Sequence, residues 1–206
     1  MIAWAGDVSG TVSILARAPG GRDWTPANSN ANAVVYLTGF DEKSPANRPQ
    51  VYLDQKDKTF VPRVLAVTAG DKVSFRNRDD VYHNVWSISP TKTFDLGSYV
   101  APKEEAVTFD KPGLVRVFCN IHPQMIASVL VLKNSKYVVT PESGGYKIND
   151  VPNGELQLRV WVEGSDPVVK TIHVGPASHL VEDFTVKRLP PPIAHLNKFG
   201  KPYSKY

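Results

Sequence analysis

Leu114-Val115-Arg116-Val117-Phe118-Cys119-Asn120-Ile121-His122-Pro123-Gln124-Met125 is the stretch on which the reading of this chain turns. In its first half, period two puts Val115, Val117 and Cys119 on one face, as in a half-buried strand. The thiol therefore points inward beneath apolar cover. Asp110-Lys111-Pro112-Gly113 precedes it as a break signal. Ile126-Ala127-Ser128-Val129-Leu130-Val131-Leu132 follows as a further strand, rich in apolar and β-branched residues. Between the two strands a thiol, an imidazole and a thioether fall within seven residues, from Cys119 to Met125. Pro123, with no N–H and a fixed φ, stiffens that short turn. Cys119 is the only cysteine of the chain, so it has no partner for an intramolecular disulfide.

A second imidazole, His83, lies upstream in Tyr82-His83-Asn84-Val85, at the start of another strand-like run. Two His, one Cys and a weak axial Met are the donors of a blue-copper electron-transfer site. Each donor suits the ion: thiolate is a strong covalent ligand, neutral imidazoles serve Cu(I) and Cu(II) alike, and a distant thioether favours Cu(I). Taken singly, each has a plainer role. A lone strand Cys is usually an inert small hydrophobe, a lone His is hydrogen-bonded, and a Met fills core. Their order and flanking strands favour the metal. Zinc competes for His and Cys, but a structural zinc site wants four strong ligands and Met125 is a poor one.

Residues 49–133 resemble the cupredoxins, the blue copper proteins, in their amicyanin- and plastocyanin-like form. The matching stretches are Phe60-Val61-Pro62, Ala69-Gly70-Asp71-Lys72-Val73-Ser74-Phe75-Arg76-Asn77, His83-Asn84-Val85, and Pro112-Gly113 leading into Phe118-Cys119, His122 and Met125. The resemblance implies a Greek-key β-sandwich holding one mononuclear copper per chain, with His83, Cys119, His122 and Met125 as ligands. It also implies that Asn84 ties the two ligand loops together and helps hold the Cys119 sulfur. It covers under half the chain.

The flanking sequence has its own β signature. Gly144-Gly145-Tyr146-Lys147-Ile148 runs through Val151-Pro152-Asn153-Gly154 into a strand with Leu156, Leu158 and Val160 on one face, a hairpin pattern. Leu180, Phe184 and Val186 suggest one more strand. This resembles the small β-sandwich of carboxypeptidase regulatory-like domains, whose opening Val-x-Gly-x-Val strand matches Val8-Ser9-Gly10-Thr11-Val12. A following strand fits Ala33-Val34-Val35-Tyr36-Leu37. The expected fold class is thus all-β, a cupredoxin sandwich at 49–133 plus a second small sandwich from 6–48 and 134–188, with the first inserted in the second. That arrangement requires Val12 and Val34 to share a core with Leu156, Leu158 and Val160. The plainer alternative makes residues 6–48 extra strands of the cupredoxin. A Pro-rich basic tail occupies 189–206. It carries Lys198, Lys201 and Lys205 with Phe199, Tyr203 and Tyr206 and no acid; it is expected to be extended and solvated or loosely packed, the alternative being a clamp on an acidic partner or another domain.

Composition narrows the function. The chain has 206 residues, 17 Pro, 14 Gly and a net charge of +4 spread along its length. Nucleic-acid binding would want clustered Lys/Arg on a recognisable module, and no run of about 20 apolar residues offers a membrane span. Met1-Ile2-Ala3-Trp4-Ala5 reads as the tail of a cleaved signal peptide, which with the copper chemistry points to a bacterial periplasm. Only two Met occur and no Met-rich or His-rich tract. Copper storage or delivery is therefore the alternative to electron transfer, not the first reading. His-x-His pairs and a second Cys, needed for further copper centres, are absent from the sequence, so no enzyme activity is expected. His173 and His179 read as surface residues, and His195 has no assigned role. The expected partner is a redox protein such as a c-type cytochrome or a dehydrogenase. The electron would leave through the His122 ring between Ile121 and Pro123.

Overall fold

A computed structural model of the chain describes residues 4–18, 20–42, 49–190 and 195–203. The chain is all-β, with no helix among the described residues, and none is therefore long and apolar enough to cross a membrane. It divides into two compact units. One runs up to Glu42 and resumes from Asn134 to Pro191; the other takes the intervening residues to Lys133 together with the C-terminal segment. The expected leader remnant at Met1–Ala3 lies outside the described residues, as do Pro191, Pro192, Lys205 and Tyr206 of the tail.

The unit that contains Cys119 is built from two sheets facing one core. The larger has the strand order Lys92–Tyr99, His83–Ser89, Gly113–Cys119, Ile126–Leu132, Val64–Thr68. All neighbours are antiparallel except the last pair. The smaller has Asp71–Arg76 between Glu104–Phe109 and Val51–Tyr52. Val115, Val117 and Cys119 alternate inward, as period two requires, and meet Val73, Phe75, Val107 and Phe109 from the facing sheet. Phe75, Phe94 and Phe109 stack in tilted and edge-on contacts with centroids 5.7 and 6.2 Å apart. Tyr99 is buried too, and its hydroxyl is satisfied on both sides. It accepts from Gln55 Nε2 at 2.7 Å and donates to the Phe75 carbonyl at 2.9 Å.

In the other unit, the strand Trp4–Ala16 pairs antiparallel with Gly145–Pro152 and parallel with His179–Val181 and Phe184–Arg188. A second sheet has the order Tyr137–Val139, Val34–Thr38, Gly154–Trp161, Val168–Val174. Val12 shares one core with Leu156, Leu158 and Val160, joined by Ala33, Val35 and Leu37. Val34 is buried but lies outside that cluster, because the alternation of its strand selects its neighbours on either side. Gly10 and Tyr146 converge on one backbone group. A Cβ at Gly10 would run into the Glu182 carbonyl, which the Tyr146 hydroxyl also reaches, at 2.5 Å. His173 and His179 are surface residues beside Glu155 and Asp7.

The hairpin expected around Pro152-Asn153-Gly154 does not form. Gly145–Pro152 pairs with the first strand, whereas Gly154–Trp161 pairs with Val34–Thr38 and Val168–Val174 in the other sheet. Both strands carry an apolar face into the same core, and the chain reaches it from opposite sides. Pro152 has no N–H to extend a ladder, and Gly154 at φ 131° lets the backbone cross between sheets. The period of a strand fixes its buried face but leaves its neighbour open.

Phe75→Ala removes a fully buried ring from the core beneath Cys119. It should cost about 3–5 kcal/mol in urea unfolding. A loss below about 1 kcal/mol would show that this ring does not anchor the two sheets.

Candidate metal centre

Two strands and one turn bring the donor atoms together. Cys119 ends its strand and pairs across to Val85, two residues beyond His83 on the neighbouring strand. His83 opens that strand, so its side chain lies at the same end of the sandwich. The turn after Cys119 returns on itself. The Met125 N–H donates to the His122 carbonyl and the Cys119 N–H to the Met125 carbonyl, each at 3.1 Å. That closure carries His122 back over the thiol.

The result is a cluster in which one nitrogen of each imidazole and the sulfur all lie within 4.8 Å of one another. His83 Nδ1 is 3.0 Å from His122 Nδ1, and Cys119 Sγ is 3.9 and 3.8 Å from the two nitrogens. His83, Cys119 and Met125 are each 0% exposed, and His122 is half-buried beside half-buried Ile121 and Pro123. Met125 belongs to the same apolar core as Cys119. The sulfur also accepts the Ile121 N–H at 3.4 Å.

Asp79, which the sequence reading did not single out, sets the tautomer of His83. The His83 Nε2–H donates to Asp79 Oδ2 at 2.8 Å, which leaves the Nδ1 lone pair facing Cys119 and His122. The same carboxylate accepts the N–H groups of Asp57 and Lys58 at 2.7 and 2.9 Å. These two residues form the hairpin loop between Asp54–Lys56 and Thr59–Val61, at φ 53° and 54°. Such left-handed backbone is unfavourable for side chains other than glycine, and the Asp79 contacts help hold it. Burial works to raise the Asp79 carboxyl, but the Lys58 N–H, the His83 ring and the Asp57 N–H outweigh it and hold it below the usual carboxylate value. At His122, burial first and the neighbouring His83 second push the imidazole below its ordinary pKa, toward the neutral, electron-donating form. A sequence signal for Asp79 existed in its spacing, four residues before His83. Nothing in the sequence tied it to the turn at 57–58.

Asn84 joins the start of the His83 strand to the turn after Cys119 by its backbone. Its carbonyl accepts the Asn120 N–H at 3.1 Å. Its side-chain amide points to the neighbouring strand. It donates to Asp95 Oδ1 at 2.7 Å and to the Gly97 carbonyl at 2.8 Å. The N–H that meets the sulfur is that of Ile121.

The C-terminal segment also reaches this end of the unit, where a solvated or loosely packed tail was expected. The Tyr203 hydroxyl donates to the Cys119 carbonyl at 2.6 Å, and the Lys198 N–H donates to Asn120 Oδ1 at 2.8 Å. Lys198 Nζ pairs with Asp95 Oδ2 at 2.7 Å. The His195 ring lies 4.5 Å from that of Phe118, on the outward face of the Cys119 strand, and Tyr203 meets His195 edge-on at 5.3 Å. Thus the histidine without an assigned role sits beside the Cys119 strand.

No family model and no curated protein matches the chain. Solved structures similar to part of it include a purple cupredoxin from Nitrosopumilus maritimus, at 21% identity and TM-score 0.37 over 40% of this chain and 100% of that one. An amicyanin from Paracoccus versutus matches at 24% identity and TM-score 0.38, over 47% of this chain and 98% of that one. A Cu-containing nitrite reductase from Thermus scotoductus matches at 25% identity and TM-score 0.40, over 48% of this chain and 25% of that one.

Proposed function

We propose that the chain is a blue-copper electron carrier, with one copper held by His83, Cys119, His122 and Met125. The observation that carries this reading is the convergence of two imidazole nitrogens and one thiol within 4.8 Å, inside an apolar core that also contains Met125. Two nitrogens and one sulfur, with a thioether as the fourth candidate, suit copper. A zinc site would want a fourth strong donor. The acid beside the cluster, Asp79, has its oxygens engaged by His83, Asp57 and Lys58. Copper bound there supplies a one-electron couple between Cu(I) and Cu(II).

The chain's own residues do the rest. Asp79 keeps the His83 ring oriented with its Nδ1 inward. The closed turn from Cys119 to Met125 fixes the thiolate and the His122 ring, so little need move when the charge changes. Burial of His83, Cys119 and Met125 excludes water from three donors. The half-buried His122, between Ile121 and Pro123, is the donor that comes closest to solvent and is the exit we assign to the electron. A partner met at such a small apolar face is bound weakly and briefly; a c-type cytochrome or a dehydrogenase fits that role. The reading includes no catalytic step, and it places the protein in a periplasm, where Cu-thiolate electron carriers operate. The second unit is proposed to be a carboxypeptidase regulatory-like sandwich interrupted by the copper unit. Its support is the convergence of Gly10 and Tyr146 on Glu182 and the two-segment build of its core.

Titration with Cu(II) should saturate at one ion per chain and produce strong visible absorption from thiolate-to-copper charge transfer. Cys119→Ser should bind weakly and stay colourless. A coloured Cys119→Ser protein would remove Cys119 from the ligand set.

Met125→Leu should keep both copper and colour while the reduction potential rises, since a thioether favours Cu(I) only relative to stronger axial donors and an alkyl group gives Cu(II) no axial donation at all. Equilibrium redox titration reads this directly. Complete loss of copper would mean that Met125 holds the loop closed instead.

Asp79→Ala frees the His83 ring without touching a donor atom. Copper affinity should fall by about 10–100-fold, as is usual when the outer partner of a ligand histidine is lost. Competition with a chelator measures it, and unchanged affinity would show that the apolar core alone orients His83.

A further inference from the structure

We infer that the C-terminal segment around Lys198 and Tyr203 is a positioning element of the metal centre: its hydrogen bonds to Cys119, Asn120 and Asp95 fix the cysteine ligand and set its donor strength. This deepens the copper reading and rests on it. Tyr203 and Lys198 touch no donor atom, so they act through the backbone that carries the sulfur and through the residue that follows His83.

The contacts are specific. Cys119 is gripped at both backbone polar atoms, its N–H by Met125 and its carbonyl by the Tyr203 hydroxyl 84 residues downstream. Asn120 is gripped on both sides as well. Its N–H donates to the Asn84 carbonyl, and its side-chain oxygen takes the Lys198 N–H. Lys198 Nζ holds Asp95, whose other oxygen takes the Asn84 amide and the Gly97 N–H. The segment is therefore bonded into both ligand loops, to one directly and to the other through Asp95 and Asn84.

Two physical effects follow. The first is mechanical. The peptide between Cys119 and Asn120 has its carbonyl and N–H bonded in opposite directions, so the direction of the Cα–Cβ bond that aims the sulfur is constrained. The second is electrostatic. The Tyr203 hydroxyl directs the positive end of its dipole at a carbonyl two bonds from Cys119 Cβ. Charge-assisting donors near a thiolate ligand favour the more electron-rich, reduced state, and hydrogen bonding about the Cys sulfur is a known lever on potential. Removing the hydroxyl while keeping the ring should loosen the loop and shift the couple toward the oxidised form.

Tyr203→Phe in the full chain is the test, since the ring can still meet His195. In metal-free protein, Cys119 should react with a small thiol-alkylating reagent about three- to tenfold faster than in the unsubstituted chain, in line with the loss of one hydrogen bond. Copper-loaded protein should show a lower reduction potential, by up to about tenfold in the reduced-to-oxidised ratio, or about 59 mV for one electron. Lys198→Met should shift both quantities in the same direction. Unchanged thiol reactivity in metal-free Tyr203→Phe and Lys198→Met protein would overturn the inference. So would an unchanged potential in copper-loaded Tyr203→Phe. If the chain takes up no copper, the function proposed above fails, yet the thiol measurement still decides whether the segment positions Cys119.

Discussion

The end of the unit that holds Cys119 rests on one constraint: two imidazoles and a thiol face one another beneath apolar cover. Polar groups buried without partners are costly. His83, Cys119 and His122 point at one another across 3.0 to 3.9 Å, with no space between them for bulk solvent. Two imidazole nitrogens 3.0 Å apart cannot both carry a proton. With the His83 Nε2–H given to Asp79, His83 Nδ1 accepts and His122 Nδ1–H donates. The sheet makes the convergence possible because Cys119 and His83 end and begin adjacent strands, and the Cys119-to-Met125 turn closes on backbone hydrogen bonds rather than on side-chain packing.

Such a cluster needs rigid support, and the support comes from dispersed parts of the chain. Asp79 joins the His83 ring to a hairpin loop whose two residues occupy left-handed backbone. Asn84 divides its bonding, with its carbonyl to Asn120 and its amide to the strand around Asp95 and Gly97. Each anchor satisfies several groups at once, so changing one of them disturbs more than one loop. The apolar core on the other side of Cys119 contributes differently. Val115, Val117 and Phe75 fix the strand by packing and supply no directional bond to the site.

The second unit shows the same separation between pattern and partnership. Its strands are recognisable from alternation, and Val12, Leu156, Leu158 and Val160 do occupy one core. Val34 illustrates the limit. It lies in the strand expected of it, yet Ala33, Val35 and Leu37 carry the face toward that core, because a one-residue step reverses every side chain. At Pro152-Asn153-Gly154 the residues signal a change of direction without saying whether the next strand returns to its predecessor or crosses to the opposite sheet.

By itself the sequence determined the all-β class, the inward face of the Cys119 strand and the identity of the donor atoms that the fold brings together. These rest on local facts: period two, turn residues at breaks, and thiol and imidazole side chains at close spacing. Tertiary structure alone decided the surroundings of those donors. Asp79 meets Asp57 and Lys58, Ile121 rather than the Asn84 side chain meets the sulfur, and Tyr203 meets Cys119 across 84 residues. Those contacts depend on where distant backbone segments come to lie. A hydrogen bond is short and directional, so an error of one strand register or one sheet assignment removes it, while the burial pattern that reveals the strand survives unchanged.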